Sequence, residues 1–464
     1  MSSYKQQRVR DPLHDLVEFR ANEFEDALWQ VIQSRPFQRL RRVKQLGFSE
    51  LVYPGATHTR FIHSIGVFHT ARELMAHIES ELTSQFKERR AQTALAAALV
   101  HDVGHGPFSH SFETVGKRLA LPNLKHEAIS AKIIRDSELS ESLALLGGGF
   151  PGDVADLIAV DGPTDVYSSV VSSQFDADRL DYMRRDKLMT GTQHSKIDFT
   201  WLMANLRVGK VKQAVDEDLV GEVETLVLDS KAHFAAETYV LGLFQLYPTV
   251  YFHKATRSAE KIFTELLVRL FRVVEDSGIS KTGLNSNHPL IKFIKKPNDL
   301  DLFLDLDDTV IWGALSQMVS CKDQILSGLA KRLRDRDLWK SADLRDYVRK
   351  QSETSFDTAA TDRIVIRAQD EINEWSETNS KEVPRIIIDA ANRPPYKVTE
   401  ASSGPLDQIF IKEGDTLRNL RDTSEVVRAA SVFKLNRAYF DDSDTVAKKK
   451  ITDAIRSAIQ EEER

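Results

Sequence analysis

The sequence predicts a mainly α protein: a helical core carrying short β-hairpins, followed by a smaller C-terminal α+β region. Three observations lead there. Phe68, Ala71, Met75, Ile78 and Leu82 recur at intervals of three and four, which places them on one stripe of a long helix. The run from Gln92 to Val103 is rich in Ala and stops at Gly104, as a second helix would. In the C-terminal third the pattern changes to short β-like runs, RIVIR at 363–367, RIIID at 385–389 and QIFIK at 408–412.

The other elements follow in chain order. Arg8–Phe19, around Pro12, reads as a short hairpin or extended arm. Asp176–Leu188 and the long stretch from Ser230 to Asp276 read as helices. Residues 206–229 hold two runs rich in Val and Leu separated by DED, which suggests a hairpin. Polar sequence rich in Gly, Asn and Pro from Asp276 to Asp299 reads as a linker, and Asp301–Lys340 returns to helix. The charged tail Glu461–Arg464 reads as a solvated run. A chain of 464 residues exceeds one compact core. The expected division is a core of residues 1–290 and a C-terminal region of 291–464 that serves assembly or regulation.

Composition narrows the function classes. Sixty-three basic residues against 69 acidic ones give a net charge of −6, which argues against a dedicated nucleic-acid binder and leaves nucleic acid an undecided partner. The single cysteine, Cys321, forms no disulfide within the chain and fits a reducing compartment. The N-terminus lacks a signal-peptide pattern, and apolar runs such as ALAAALV at 94–100 are too short for a bilayer. No membrane partner and a cytoplasmic location are expected.

Four stretches carry chemistry. The first is His101-Asp102. Leu95, Ala98, Leu99 and Asp102 share one helical face, so the carboxylate is predicted to be buried at a helix C-terminus. Burial and the helix dipole both disfavour its charge, so a cation should compensate it. A metal held by Asp102 and neutral His101 would do so. An isolated His-Asp pair is more often a plain hydrogen-bonded couple. This pair, however, opens HDVGHGPFSH, where His105 and His110 follow on a Gly-Pro turn. The second stretch is THTRFIHSIGVFHT, with His63 at the start of the striped helix and Arg60 just before it. The third is FDADRLDYMRRD, where Asp178, Tyr182 and Asp186 fall on one helix face beside Arg179. The fourth is LYPTVYFHKATRSAE. Read as one helix, it puts Tyr247, Tyr251 and Lys254 on one face, and His253, Arg257 and Glu260 on the next. Tyrosines stack on bases, and Lys and Arg meet phosphate. Taken alone, the third stretch reads better as a charged solvated helix, and the fourth reads about equally well as an amphipathic helix with satisfied tyrosines.

Together these stretches resemble the HD superfamily of phosphohydrolases. PFQRLRRVKQLG at 36–47, YPGATHTRFIHSIGV at 53–67, HDVGHGPFSHSFE at 101–113, KHE at 125–127, FDADRLDYMRRD at 175–186 and VYFHKATR at 250–257 occur in one order and resemble its dNTP triphosphohydrolase branch. The resemblance covers roughly residues 8–265, with weaker echoes at 336–340 and 435–440. It implies hydrolysis of a nucleotide, most specifically of a dNTP to deoxynucleoside and tripolyphosphate. Alternatives are another HD-type nucleotidase or phosphodiesterase, or an inactive nucleotide sensor.

By position, the resemblance implies that His63, His101, Asp102 and Asp178 ligate a divalent metal: Fe, Mn, Zn, Ni or Mg. It implies that His105, His110 and His126 surround the triphosphate and transfer protons, with Glu113 and Glu127 orienting them. Arg60, Arg179 and Tyr182 would hold phosphates near Asp186. Gln45 and Leu46 would contact the sugar, and Tyr247 and Tyr251 would line the base. Many relatives carry an arginine where this chain has Leu243, so either triphosphate specificity is weakened or Lys254 or Arg257 takes its place. Gln33 stands where an acid reads a regulatory guanine in the animal branch. A nucleotide effector is therefore expected to be other than GTP, if one acts at all. A homo-oligomer is expected by analogy.

Overall fold

The structure is a computed structural model. It describes the chain apart from residues 1–3, 122–123, 161, 216–217, 353–354, 381, 395 and 397–404, and apart from the side chains of 212–220 and 405. The chain is mainly helical with small sheets, as the sequence predicts. Two compact units emerge. The first comprises Met1–Tyr247, Pro297–Thr309 and Pro394–Ser431, and the second comprises Pro248–Lys296, Val310–Arg393 and Val432–Arg464.

The first unit opens with an antiparallel hairpin, β1 (Gln7–Asp11) and β2 (Asp15–Phe19). Its centre is α1 (Arg60–Leu82), in which Phe68, Ala71, Met75, Ile78 and Leu82 are all buried. Burial extends round most of this helix, as it must for an element enclosed by neighbours. Helix α2 (Glu88–Val100) packs on it through alanines, whose small side chains let the two backbones approach. The predicted helix to Val103 ends at Val100. His101 caps it, and Asp102 lies in the turn beyond, buried as expected. Around this pair stand α3 (His110–Arg118), α4 (His126–Asp136), α5 (Phe150–Ala159) and α6 (Ala177–Thr190). Helix α6 lies against α1.

The expected hairpin at 206–229 is β3 (Leu206–Val215) with β4 (Asp218–Asp229), and most of its DED turn lies outside the described residues. QIFIK contributes Phe410–Glu413, which pairs parallel with β4. The long helix expected from Ser230 to Asp276 is interrupted. α7 (His233–Leu246) gives way to a π-type turn at Tyr247–Tyr251, and α8 (Lys254–Asp276) starts afresh. Pro248 sits in that turn and has no N–H to donate, so the regular ladder cannot run through it. Tyr247, Tyr251 and Lys254 therefore do not share a face of one helix.

In the second unit, strand Phe433–Phe440 is flanked by Lys340–Asp343 and by Ile386–Arg393, which contains most of RIIID. Two further expectations are corrected there. RIVIR lies inside a helix, α9 (Thr358–Asn379), which packs on α10 (Thr445–Glu463). Ile364, Val365, Ala368 and Ile372 face the core while Ile366 is exposed, a helical pattern that no strand alternation would give. The expected linker at 276–299 contains a helix, Pro289–Lys295, whose Leu290, Ile291, Phe293 and Ile294 are buried. A polar surround hid this short apolar cluster. No helix among the described residues is long and apolar enough to cross a membrane.

The α1–α6 contact depends on Gly66. A Cβ there would collide with the carboxylate of Asp181 and the guanidinium of Arg185, whose side chains are fully buried. Gly66→Ala is therefore expected to destabilise the protein by at least about 3 kcal/mol, because the methyl group must part a buried ion pair. Denaturant unfolding of the two proteins measures this, and a loss below about 1 kcal/mol would contradict the packing described.

Candidate metal centre

The first turn of α1 aims His63 inward, where it is fully buried. Its Nδ1 donates to Asp181 Oδ2 at 2.8 Å. That bond leaves Nε2 pointing the other way, 3.0 Å from Asp178 Oδ1 but not aligned for a hydrogen bond. His101 is oriented similarly. Its Nδ1 donates to the Ala98 carbonyl at 2.9 Å, and its Nε2 is buried without a hydrogen-bond partner. Two unpartnered imidazole nitrogens and a carboxylate oxygen thus converge, with ligand atoms within 4.8 Å of one another. Buried nitrogens without partners are rare. A divalent cation satisfies them, and two imidazoles with carboxylate suit a transition metal. Asp102 borders this group, with Oδ1 3.3 Å from His101 Nε2 and Oδ2 3.7 Å from His63 Nε2.

Asp102 already has a cation beside it. Arg60 Nη1 donates to Asp102 Oδ2, and both side chains are about 5% exposed. Burial opposes the Asp102 charge, but Arg60, His101 and His105 outweigh it and hold the carboxyl well below its usual range. Compensation was foreseen from sequence, but the arginine as its source was not. Burial likewise opposes a charge on His63. The carboxylates of Asp178 and Asp181 outweigh it and raise the imidazole to about 10.

A second group lies beside the first. His105, His110, Glu113 and His126 also place ligand-type atoms within 4.8 Å of one another. Glu113 Oε1 accepts from His126 Nδ1 at 2.8 Å and from His110 Nδ1 at 3.1 Å. His105 and His126 stack with ring centroids 3.9 Å apart, and His105 Nε2 lies 3.2 Å from Asp102 Oδ1. Burial and Arg60 hold His105 neutral. His126 goes the other way: burial lowers its pKa, but Glu113 more than offsets that and raises it. Glu113 is correspondingly well below the usual carboxylate range, because its bonds to His110 and His126 outweigh burial. Glu127 Oε2 lies 3.4 Å from His126 Nδ1.

A cavity of about 240 Å³ opens here, lined by His101, His126, Glu127, Asp178, Arg179 and Tyr182, with Leu157, Ile158 and Val160 as an apolar wall. A larger cavity of about 690 Å³ in the same unit is lined by no histidine, so size alone does not mark the chemistry. Arg179 turns toward Asp176, whose Oδ2 it reaches at 2.5 Å. Burial raises the Tyr182 hydroxyl well above its usual value, which keeps it a neutral donor. Asp186 is buried against His58 Nε2 at 3.0 Å. Gln45 has a buried Oε1 without a partner, and Leu46 follows it into a short 3-10 turn. Tyr247 closes the first unit. Tyr251, Lys254 and Arg257 belong to the second unit. There Arg257 is committed to Asp389, at 2.8 and 2.5 Å, and to Glu260 at 2.6 Å, which leaves little of it for a phosphate.

Sequence reasoning missed the residues that orient His63. Asp181 also accepts from Arg185 at 2.7 and 2.9 Å and from His14 Nε2 at 2.7 Å, and Arg185 reaches Asp11 at 2.8 Å. The i, i+4 spacing of Asp181 and Arg185 inside FDADRLDYMRRD was the available signal. His14, in the β1–β2 turn, gave none.

The HD domain profile matches residues 60–183, a span that begins at Arg60 and encloses His63, His101, Asp102 and Asp178. The profile of an HD associated region matches residues 217–442. The uncharacterised protein YwfO of Bacillus subtilis is 35% identical over 334 residues, spanning 71% of this chain and 70% of that one. The chain belongs to the HD-domain phosphohydrolase family. This HD phosphohydrolase is also similar to the deoxynucleoside triphosphate triphosphohydrolase SAMHD1 of Mus musculus, 27% identical over 380 residues, 74% of this chain and 55% of that one. A crystal structure of a phosphohydrolase from Bacteroides thetaiotaomicron matches with a TM-score of 0.70 and 25% identity, over 94% of this chain and all of that one. HD domains bind divalent metals, and the His/Asp group of this one is positioned to hold a metal ion.

Asp178→Ala is expected to keep the fold and to lose bound metal, since its side chain is 35% exposed and supplies one of the three convergent atoms. Elemental analysis of the purified variant reads the outcome. Metal at the wild-type stoichiometry would exclude Asp178 as a ligand.

Proposed function

We propose that this HD phosphohydrolase converts deoxynucleoside triphosphates to deoxynucleoside and tripolyphosphate. The observation that supports it best is the pairing of two groups across Asp102. The group of His63, His101 and Asp178 suits a cation, and the neighbouring group of His105, His110, Glu113 and His126 suits a polyanion and proton transfer. Similarity to SAMHD1, whose name states this reaction, points the same way.

When bound at His63, His101, Asp102 and Asp178, a divalent cation supplies Lewis acidity to water and to a phosphate oxygen. The chain's own residues do the rest. Water attacks the α-phosphorus, the bond to the nucleoside 5′-oxygen breaks, and His110 gives that oxygen its proton. His126, held protonated by Glu113, sets a positive charge beside the departing tripolyphosphate. Arg60 and Arg179 offer guanidinium donors to phosphate oxygens. Tyr182 donates its hydroxyl. Gln45 offers its unpartnered Oε1 to the sugar, with Leu46 beside it, and Tyr247 offers a ring to the base. A homo-oligomer completes this reading, with a nucleotide effector other than GTP or none.

Product analysis with Mn²⁺ and each of the four dNTPs is the direct test. Tripolyphosphate with free deoxynucleoside is expected. Orthophosphate, or turnover of cyclic nucleotides only, would assign the protein to another HD reaction, and binding without turnover would make it a sensor. His110→Ala is expected to lose about 10²–10⁴ in kcat while keeping its metal.

The pH profile supplies a further check. Glu113 raises the His126 pKa, so the protonated form persists above the ordinary value of 6.5 and activity is lost as pH rises through the raised value. Glu113→Gln removes the partner and should move that alkaline limb to lower pH. An unmoved limb would exclude His126 as the group that titrates.

A further inference from the structure

The segment 301–308 fastens residues 35–44 and the loop after Asp102. Arg42 Nε donates to Asp307 Oδ2 at 2.5 Å, and Arg39 Nε donates to the Leu306 carbonyl at 2.7 Å. The same Arg39, fully buried, donates through Nη2 to the His105 carbonyl at 2.6 Å. Asp308 completes the pattern and is only 1% exposed. Its Oδ1 accepts from the Phe108 amide at 2.8 Å, and its Oδ2 accepts from the Lys44 amide at 2.9 Å.

Those two amides belong to different loops. Phe108 lies two residues before His110, and Lys44 immediately precedes Gln45. Phe108 and Ser109 have φ of +54 and +57, a backbone that L side chains rarely adopt and that persists only when its surroundings hold it. Several contacts hold it here, among them Ser109 Oγ, which donates to the Lys44 carbonyl at 3.5 Å. Asp308 takes the Phe108 amide, the Phe108 ring stacks on Phe48 with centroids 3.9 Å apart, and Arg60 Nε donates to Ser109 Oγ at 2.9 Å. A buried carboxylate is a costly way to fill space, since an apolar side chain would do so without desolvating a charge. Burial pushes this carboxyl up to about 7, against the two amide bonds and Lys44. Its presence is explained by the two amides it accepts from.

We propose that Asp308 is a positioning residue, one carboxylate that sets the loop presenting His110 and the loop presenting Gln45 at the same time. The inference rests on the roles given to His110 and Gln45 above. It predicts that the proton donor and the sugar contact move together.

Asp308→Asn tests this, because it keeps the shape and replaces one accepting oxygen by an NH₂ group. Amide hydrogen exchange in segments 43–47 and 106–112 is expected to speed up in both by about ten-fold or more, with metal content unchanged. On the dNTP substrate kcat should fall through His110 and KM should rise through Gln45, together costing about 10²-fold in kcat/KM. Asp307→Asn, which releases Arg42, should leave exchange in 106–112 as it was. Faster exchange in neither segment, or an even increase across the whole chain, would overturn the proposal. If the Asn variant does not fold, the wild type still decides. Its Lys44 and Phe108 amides should exchange slowly and at matching rates, and rapid exchange of either would overturn it. Wild-type protein without dNTP turnover but with both amides protected would remove the assigned reaction and leave the two-loop clasp standing.

Discussion

The site depends on one buried carboxylate, Asp181, at the contact between α1 and α6. Its side chain is fully buried, and charge in such a place is tolerated only with complete compensation. Arg185 supplies a two-pronged ion pair, and His63 and His14 supply the remaining donors. The bond from His63 Nδ1 fixes which imidazole nitrogen is left over and where it points. A carboxylate behind a histidine is the arrangement that orients a metal-binding imidazole. Gly66 leaves room for the ion pair, and Arg185 extends it to Asp11 in the β1–β2 hairpin. One interaction therefore ties the N-terminal arm, the central helix and the α6 face that carries Asp178.

Beyond that anchor, charge is divided unevenly among nearby histidines. His105 is neutral because it is buried near Arg60, while His126 is pushed toward its charged form by Glu113. The two rings are stacked against each other. Environments that drive neighbouring titratable groups apart are how a site assigns distinct jobs to identical side chains. Asp102 stands between the two groups, close to His101 and His63 on one side and His105 on the other.

Much of this was legible in the sequence, for identifiable reasons. The stripe on α1 and the face of α6 are periodic patterns of apolar and charged residues, and periodicity survives translation into structure. The convergence of His63, His101 and Asp178 could be suspected because unusual residue types cluster in short, ordered motifs. What escaped was set by distant parts of the chain. His14 reaches Asp181 across 167 residues, and Asp308 reaches Phe108 across 200, with no local sign of either. RIVIR was misread because β-branched residues favour strands locally, whereas the buried face of α9 overrides that preference. The interruption before α8 was signalled by Pro248 and passed over because the apolar pattern continues through it.

The group of His63, His101 and Asp178 is positioned to hold a cation, with Asp102 beside it and Asp181 orienting His63 from behind. Anomalous diffraction from crystals of the Mn²⁺-loaded protein addresses it directly. One strong peak is expected within about 2.0–2.3 Å of His63 Nε2, His101 Nε2 and an Asp178 oxygen. A peak held instead by His105, His110, Glu113 and His126, with the first group empty, would contradict it.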